Sequence, residues 1–190
     1  MNNKKLDLKY GVVALMIFVA ALSRLLPHPP NFTPVAGMAL FGAAYFNKRW
    51  LAIVIPLIAL WCSNLILDNV FYAQYYDGFV WFSAITLWVY VSIAIVAVVG
   101  FLFLRKRSVG RIAVATLSAS ILFFLITNFG SWMSAMSVYP KTFSGLMACY
   151  AAGIPFFWKT MAGDFFYVAV LFGTYEWVKQ SVPSFRTANA

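Results

Sequence analysis

The sequence predicts an all-α membrane protein, a bundle of six transmembrane helices with structured outer loops, and three observations predict it. They are the composition, the spacing of the apolar runs, and the placement of the basic residues between those runs. Of 190 residues, 63% are hydrophobic and 10% are charged, far from the roughly 25% charged and 45–50% apolar of a soluble domain. A span needs about 20 apolar residues, so residues 1–190 hold one integral membrane domain with no separate soluble one. The net charge of +9 in a soluble chain would point to nucleic acid. Here the basic residues sit in short clusters between apolar runs, where they act as topology signals, and nucleic-acid binding is not expected.

The first helix is expected over about 10–26. The lysines before it give the N-terminus the look of a signal peptide, but no small-residue cleavage site followed by a soluble chain is present, and the segment reads as a retained helix. It stops at Pro27-His28-Pro29-Pro30, because proline removes a donor and disfavours helix in the residue before it. The second helix, about 33–46, is short and rich in small residues; Ala39-x-x-x-Ala43 permits close backbone approach and places it inside the bundle. Further helices are expected over about 50–67, 79–104, 112–128 and 156–178. The stretch from Gly130 to Pro155, broken by Gly130, Pro140, Gly145, Gly153 and Pro155, reads as a structured loop with a short helix near 143–152.

With this count, eleven of the fourteen basic residues fall on one side: Lys4, Lys5, Lys9, Lys48, Arg49, Arg105, Lys106, Arg107, Arg111, Lys179 and Arg186. Arg24, Lys141 and Lys159 fall on the other. Cytoplasmic loops carry the excess of Lys and Arg, so both termini are expected inside the cell. The expected partners are the lipid bilayer and a small-molecule substrate.

Three outer segments then converge, around Arg24 to Pro34, Cys62 to Asp77, and Asn128 to Lys141. They combine aromatic surfaces with a few polar groups, as a ligand pocket requires; as an alternative, the tyrosines and tryptophans form the interfacial belt of any membrane protein. Polar groups within spans are more informative, since a charge at mid-bilayer costs about 2.5–3.5 kcal/mol. Arg24, Asn64, Asp68, Asn128 and Asp164 share one depth, which points to a shared polar cavity. Taken singly, each has a local reading: Arg24 snorkelling to headgroups, Asp164 interacting with the first turn of the last helix, Asn128 bonding a neighbour. The expected substrate-binding set is Arg24, His28, Asn31, Asn64, Asp68, Asn128, Trp132 and Tyr139. His28 has no titratable partner at helical spacing and reads as a loop residue rather than a catalytic base. No catalytic residue, intrinsic cofactor or enzymatic activity is expected, because the chain carries no phosphate-binding loop, no HExxH and no GxSxG. Cys62 and Cys149 form neither a disulfide framework nor a zinc site. Cys62 is either apolar filler or a soft ligand to the metal of a bound molecule.

At SRLLPHPPNFTPVAGMALFGAAYF, residues 23–46, and FFLITNFGSWMSAMSVYPKTFSGLMACYAAGIPFF, residues 123–157, the sequence resembles uncharacterised bacterial membrane proteins. Those are similar in size and helix number to the substrate-binding S components of energy-coupling factor vitamin transporters, including the solitary cobalamin transporters of the BtuM type. The resemblance implies uptake of a small organic nutrient, such as a vitamin, across the bacterial cytoplasmic (inner) membrane, with the ligand held under the three outer segments. For cobalamin as the transported ligand, it implies Cys62 as the residue approaching cobalt. S components that dock on a shared energy-coupling module carry small-xxx-small spacing in helix 1; here the spacing lies in helix 2, which favours a solitary protein. The competing class is a membrane-bound enzyme or assembly factor acting on a lipid or a membrane protein partner, which the lack of a nucleophile–base pair or metal triad disfavours.

Overall fold

The computed structural model describes residues 2–83 and 85–181, with side chains from Leu8 onward. Six α-helices form, and the described residues contain no strand: α1 (Asn2–Leu22), α2 (Val35–Tyr45), α3 (Arg49–Ile66), α4 (Thr86–Phe103), α5 (Val109–Met133) and α6 (Phe143–Ser181). Among the described residues, four stretches are long and apolar enough to cross a membrane, Leu8–Leu25, Arg49–Phe71, Thr86–Phe103 and Val109–Met133. The chain is thus a helical membrane protein, with four rather than the expected six spans by length and composition. At 11 residues, α2 is about 16 Å long against a hydrocarbon core of about 30 Å. α6 has ample length, but Lys159, Asp164, Glu176 and Lys179 dilute its apolarity.

α2 is the hub. Nine of its eleven residues are buried, and it touches each of the other five helices. Its small residues permit this: a Cβ on Gly100 of α4 would come within 2.5 Å of the Ala43 Cβ. The helix has no capping side chain at Pro34. Instead Asp164 of α6 accepts the Ala36 backbone N–H, and at the other end Arg107 Nη1 donates to the Ala44 carbonyl at 3.0 Å. A carboxylate at the N-terminus and a guanidinium at the C-terminus complement the helix dipole and satisfy groups that would otherwise be orphaned in the bundle.

The other elements depart from expectation in instructive ways. α4 opens at Thr86 rather than near 79, because Thr86 Oγ1 accepts the Ser83 N–H at 3.1 Å, and because the Asn69 amide brackets Val80, accepting its N–H at 2.7 Å and donating to its carbonyl at 2.9 Å. Those bonds hold residues before α4 as an irregular segment. α3 widens after Ile66 into a π turn, Leu67–Phe71, closed by Tyr72 N–H on the Leu67 carbonyl at 2.8 Å. α5 runs through Gly130 to Met133. That glycine lets Trp88 pack on the helix, since an added Cβ would meet the indole at 2.2 Å. The expected short helix near 143–152 and the last helix are one continuous element, with Pro155 inside it.

The helices alternate in direction. Lys9 lies within electrostatic reach of Arg107 and Lys179, Arg49 sits over the Phe101 ring at 5.7 Å, and Tyr45 donates to Glu176 at 3.0 Å. These contacts gather the basic residues at one end of the bundle. Arg186, another of the expected inner residues, lies outside the described residues, as do the side chains of Lys4 and Lys5.

Candidate functional site

At the opposite end, a single 3-10 turn, Ser23–Leu25, continues α1 and carries Arg24 across to α3. Arg24 Nη1 donates to Ser63 Oγ and to Asn64 Oδ1, both at 2.7 Å. Ser63 is fully buried and donates its own hydroxyl hydrogen bond to the Leu60 carbonyl at 2.9 Å. The guanidinium is therefore held at a fixed place, yet no carboxylate within ion-pair distance neutralises it among the described residues; the Lys179–Glu176 ion pair lies at the opposite end of the bundle. Asp68, in the π turn that ends α3, is within electrostatic reach of Arg24 but makes no hydrogen bond among the described residues. Two buried side-chain polar atoms there have no partner, Arg24 Nε and the Tyr90 hydroxyl, and these two groups are also within electrostatic reach of one another.

Arg24, Asn64 and Asp68 line a chamber of about 320 Å³ together with Asn31, Tyr72, Tyr76 and the start of α4, among others; Tyr90 is not among its lining residues. Burial pushes the Tyr76 hydroxyl above its ordinary pKa, and the charge of Asp68 pushes it further. A second chamber of about 320 Å³ is lined by Asn128, Thr127, Phe124 and Phe157. The two share Asn31, Ile85, Val89, Phe123 and Thr160, so they adjoin across common walls. Asn31 sits at the junction with φ 65°, following Pro30 in a turn closed by the Phe32 N–H on the Pro29 carbonyl at 3.0 Å. Proline followed by asparagine with positive φ is the pattern of a type II turn, so the proline-rich segment has a positional purpose. Asn128 donates to the Phe124 carbonyl at 2.9 Å, and Gly153 of α6 leaves room for its amide, whose Oδ1 would lie 2.4 Å from an added Cβ.

The expected set thus divides. Arg24, Asn31, Asn64, Asp68 and Asn128 come together around the joined chambers. Tyr139 lines a larger neighbouring space of about 660 Å³ with Trp88, Met133 and Cys149. Trp132 donates its indole N–H to the Pro140 carbonyl at 2.9 Å, and Lys141 donates to the Trp132 and Ser134 carbonyls, so these residues close a loop rather than face the chambers. His28 is exposed, its Nδ1 2.6 Å from the Leu26 carbonyl. Cys62 is half-buried on α3, near Tyr90, and is not among the residues lining the chambers. Asp164, grouped with the others by depth, lies behind the chambers in its hydrogen bonds to Ser120, at 2.7 Å, and Ala36. Thr160, which lines both chambers, escapes the sequence reading, because a lone threonine in an apolar helix reads as packing. Among the described residues, no three His, Cys, Asp or Glu side chains gather as a metal site.

A family described as of unknown function, DUF6580, matches residues 4–185. The chain belongs to that family. No curated protein and no solved structure matches it. Every site residue described above lies within the matched region, so the joined chambers belong to the DUF6580 portion of the chain.

Proposed function

We propose that this DUF6580 protein binds a small organic solute in the joined chambers and passes it inward across a bacterial cytoplasmic membrane, without catalysing a reaction. The observation that carries the reading is Arg24, a guanidinium fixed to α3 beside a chamber, facing Asp68 without forming an ion pair. A charged group held in an apolar bundle with its counter-charge kept apart is expensive, and an arrangement of that kind is what a solute with its own polar groups would complete. The likeness in size and helix number to S components of vitamin transporters supports the same reading.

In this proposal the chain crosses the membrane six times with both termini inside. The gathering of Lys9, Arg49, Arg107 and Lys179 at one end supports it through the positive-inside rule. The short α2 would cross together with the non-helical residues before it, which is tolerated where backbone at membrane depth is covered by protein. The Ala39–Ala43 stripe is turned inward, Ala39 being fully buried and Ala43 facing Gly100. It is thus unavailable for docking on a shared energy-coupling module, which favours a solitary protein. Cobalamin would enter through Cys62, but the chambers of about 320 Å³ match a smaller molecule, near the lower end of the roughly 300–1,000 Å³ typical of ligand pockets. A change in the visible spectrum of added cobalamin that depends on Cys62, tested with Cys62→Ser, would restore the larger ligand.

Mass spectrometry of small molecules released from the detergent-purified protein tests the reading. A solute is expected to co-purify with the wild type and to bind Arg24→Ala and Asn128→Ala more weakly by about 1–3 kcal/mol each, the cost of a lost buried hydrogen bond. Unchanged affinity in both variants would leave these residues a purely structural role.

A further inference from the structure

The class of solute can be read from the half of Arg24 that the fold leaves unused. Nη1 is pinned to Ser63 and Asn64, while Nε and Nη2 donate to nothing among the described residues, and Nε is buried. Nε and Nη2 together form the edge of a guanidinium that matches the two oxygens of a carboxylate in parallel hydrogen bonds. Buried donors lacking acceptors are rare in folded proteins, and one on Arg24, which lines the chamber, points to an absent acceptor. α4 begins on the same wall at Thr86, adding the positive end of its dipole.

Only a small negative charge would be tolerated. Asp68 lines the same chamber, and Lys141, a neighbouring cation in the sequence of this end, donates to the Trp132 and Ser134 carbonyls instead. Each negative charge on a solute is attracted by the Arg24 guanidinium and repelled by the Asp68 carboxylate, so a monoanion is opposed less than a phosphate dianion. The second chamber adjoins this one with Phe123, Phe124 and Phe157, flat apolar surfaces suited to a ring. Resting on the binding function proposed above, we infer that the solute is an organic monocarboxylate with a ring-sized apolar body: its carboxylate takes the Nε–Nη2 edge of Arg24, and its body lies against the phenylalanines.

The test combines identification of co-purifying solutes with a matched binding panel. The panel pairs ring-bearing acids with their neutral amides: nicotinate with nicotinamide, 4-aminobenzoate with 4-aminobenzamide, and indole-3-acetate with indole-3-acetamide. Affinity is read from the thermal unfolding shift of the full chain in detergent. The wild type should release a carboxylic acid, or bind at least one acid about tenfold or more tightly than its amide, as expected for loss of a charge-assisted bidentate pair. Arg24→Gln should erase that preference. Should Arg24→Gln fail to fold, Arg24→Lys decides: it keeps the charge but not the planar edge, and should weaken acid binding about tenfold while retaining the order of acid over amide. Acid affinity unchanged in Arg24→Lys would overturn the bidentate assignment. A neutral co-purifying solute, or amides binding as well as acids, would overturn the carboxylate class while leaving the binding function intact. No co-purifying solute together with no response to any panel member would overturn both.

Discussion

α2 carries no capping side chain of its own, and two charged residues from elsewhere in the bundle supply what it lacks. Asp164 accepts from Ala36 and from Ser120, and Ser120 can turn to the Thr116 carbonyl at 3.0 Å, so Asp164→Ala should leave the buried Ala36 N–H unpaired and lower stability by about 1–3 kcal/mol, with Asp164→Asn losing roughly half as much. Arg107→Gln, at the more exposed end, should cost only about 0.3–1 kcal/mol from the dipole interaction. Unfolding of detergent-solubilised variants measures both, and equal losses at the two ends would contradict the difference in burial. The rule that polar groups are expensive in a membrane singled out Arg24, Asn64, Asp68, Asn128 and Asp164 in the sequence, and four of the five line the chambers. It could not separate Asp164, because depth along a helix does not say which face a carboxylate occupies or that its partner is the start of α2. His28 and Trp132 misled for a related reason: residues in proline-rich or aromatic loops look available, whereas hydrogen bonds to nearby carbonyls, Leu26 for one and Pro140 for the other, occupy them.

At the scale of elements, the existence of six helices was legible from apolar runs, while their ends depended on contacts that a linear pattern does not contain. Gly130, Gly153 and Pro155 were read as breakers from local preference. In the fold the glycines admit Trp88 and Asn128, and packing against α5 outweighs their cost, so α5 lengthens and α6 runs unbroken for 39 residues. α6 is then about 58 Å long at 1.5 Å per residue, longer than the roughly 40–45 Å of a bilayer with its headgroup regions, so it must extend past the membrane or tilt strongly. Spin labels placed by cysteine substitution at Met147 and Trp177, in a background with Cys62 and Cys149 replaced by serine, should be separated by about 45 Å along a continuous helix. A pulsed electron resonance distance well below this would show that the helix turns at Gly153–Pro155.

For the molecule as a whole, the two ends differ in their basic residues. One end gathers Lys9, Arg49, Arg107 and Lys179 around α2 and α6, while the other holds the joined chambers, with Arg24 committed to α3 rather than exposed as a topology signal. Lys141 is likewise tied to loop carbonyls. The basic residues free to retain a segment in the cytoplasm are therefore concentrated at the end away from the chambers, and each successive helix reverses direction between the two. This arrangement predicts that the loop at Arg105–Arg111 is cytoplasmic and the loop at Tyr75 faces outward, placing the chambers toward the supply of an incoming solute. Reporter fusions after Arg107 should be active only as cytoplasmic reporters, and an insertion at Tyr75 only as an external one. Neutralising Arg105, Lys106, Arg107 and Arg111 together should produce mixed orientation, because the largest cluster of the bias is removed, whereas replacing Arg24 should weaken solute binding without altering topology. A cytoplasmic Tyr75 in the wild type would turn the chambers toward the cell interior and replace uptake with export or with recognition of an internal molecule.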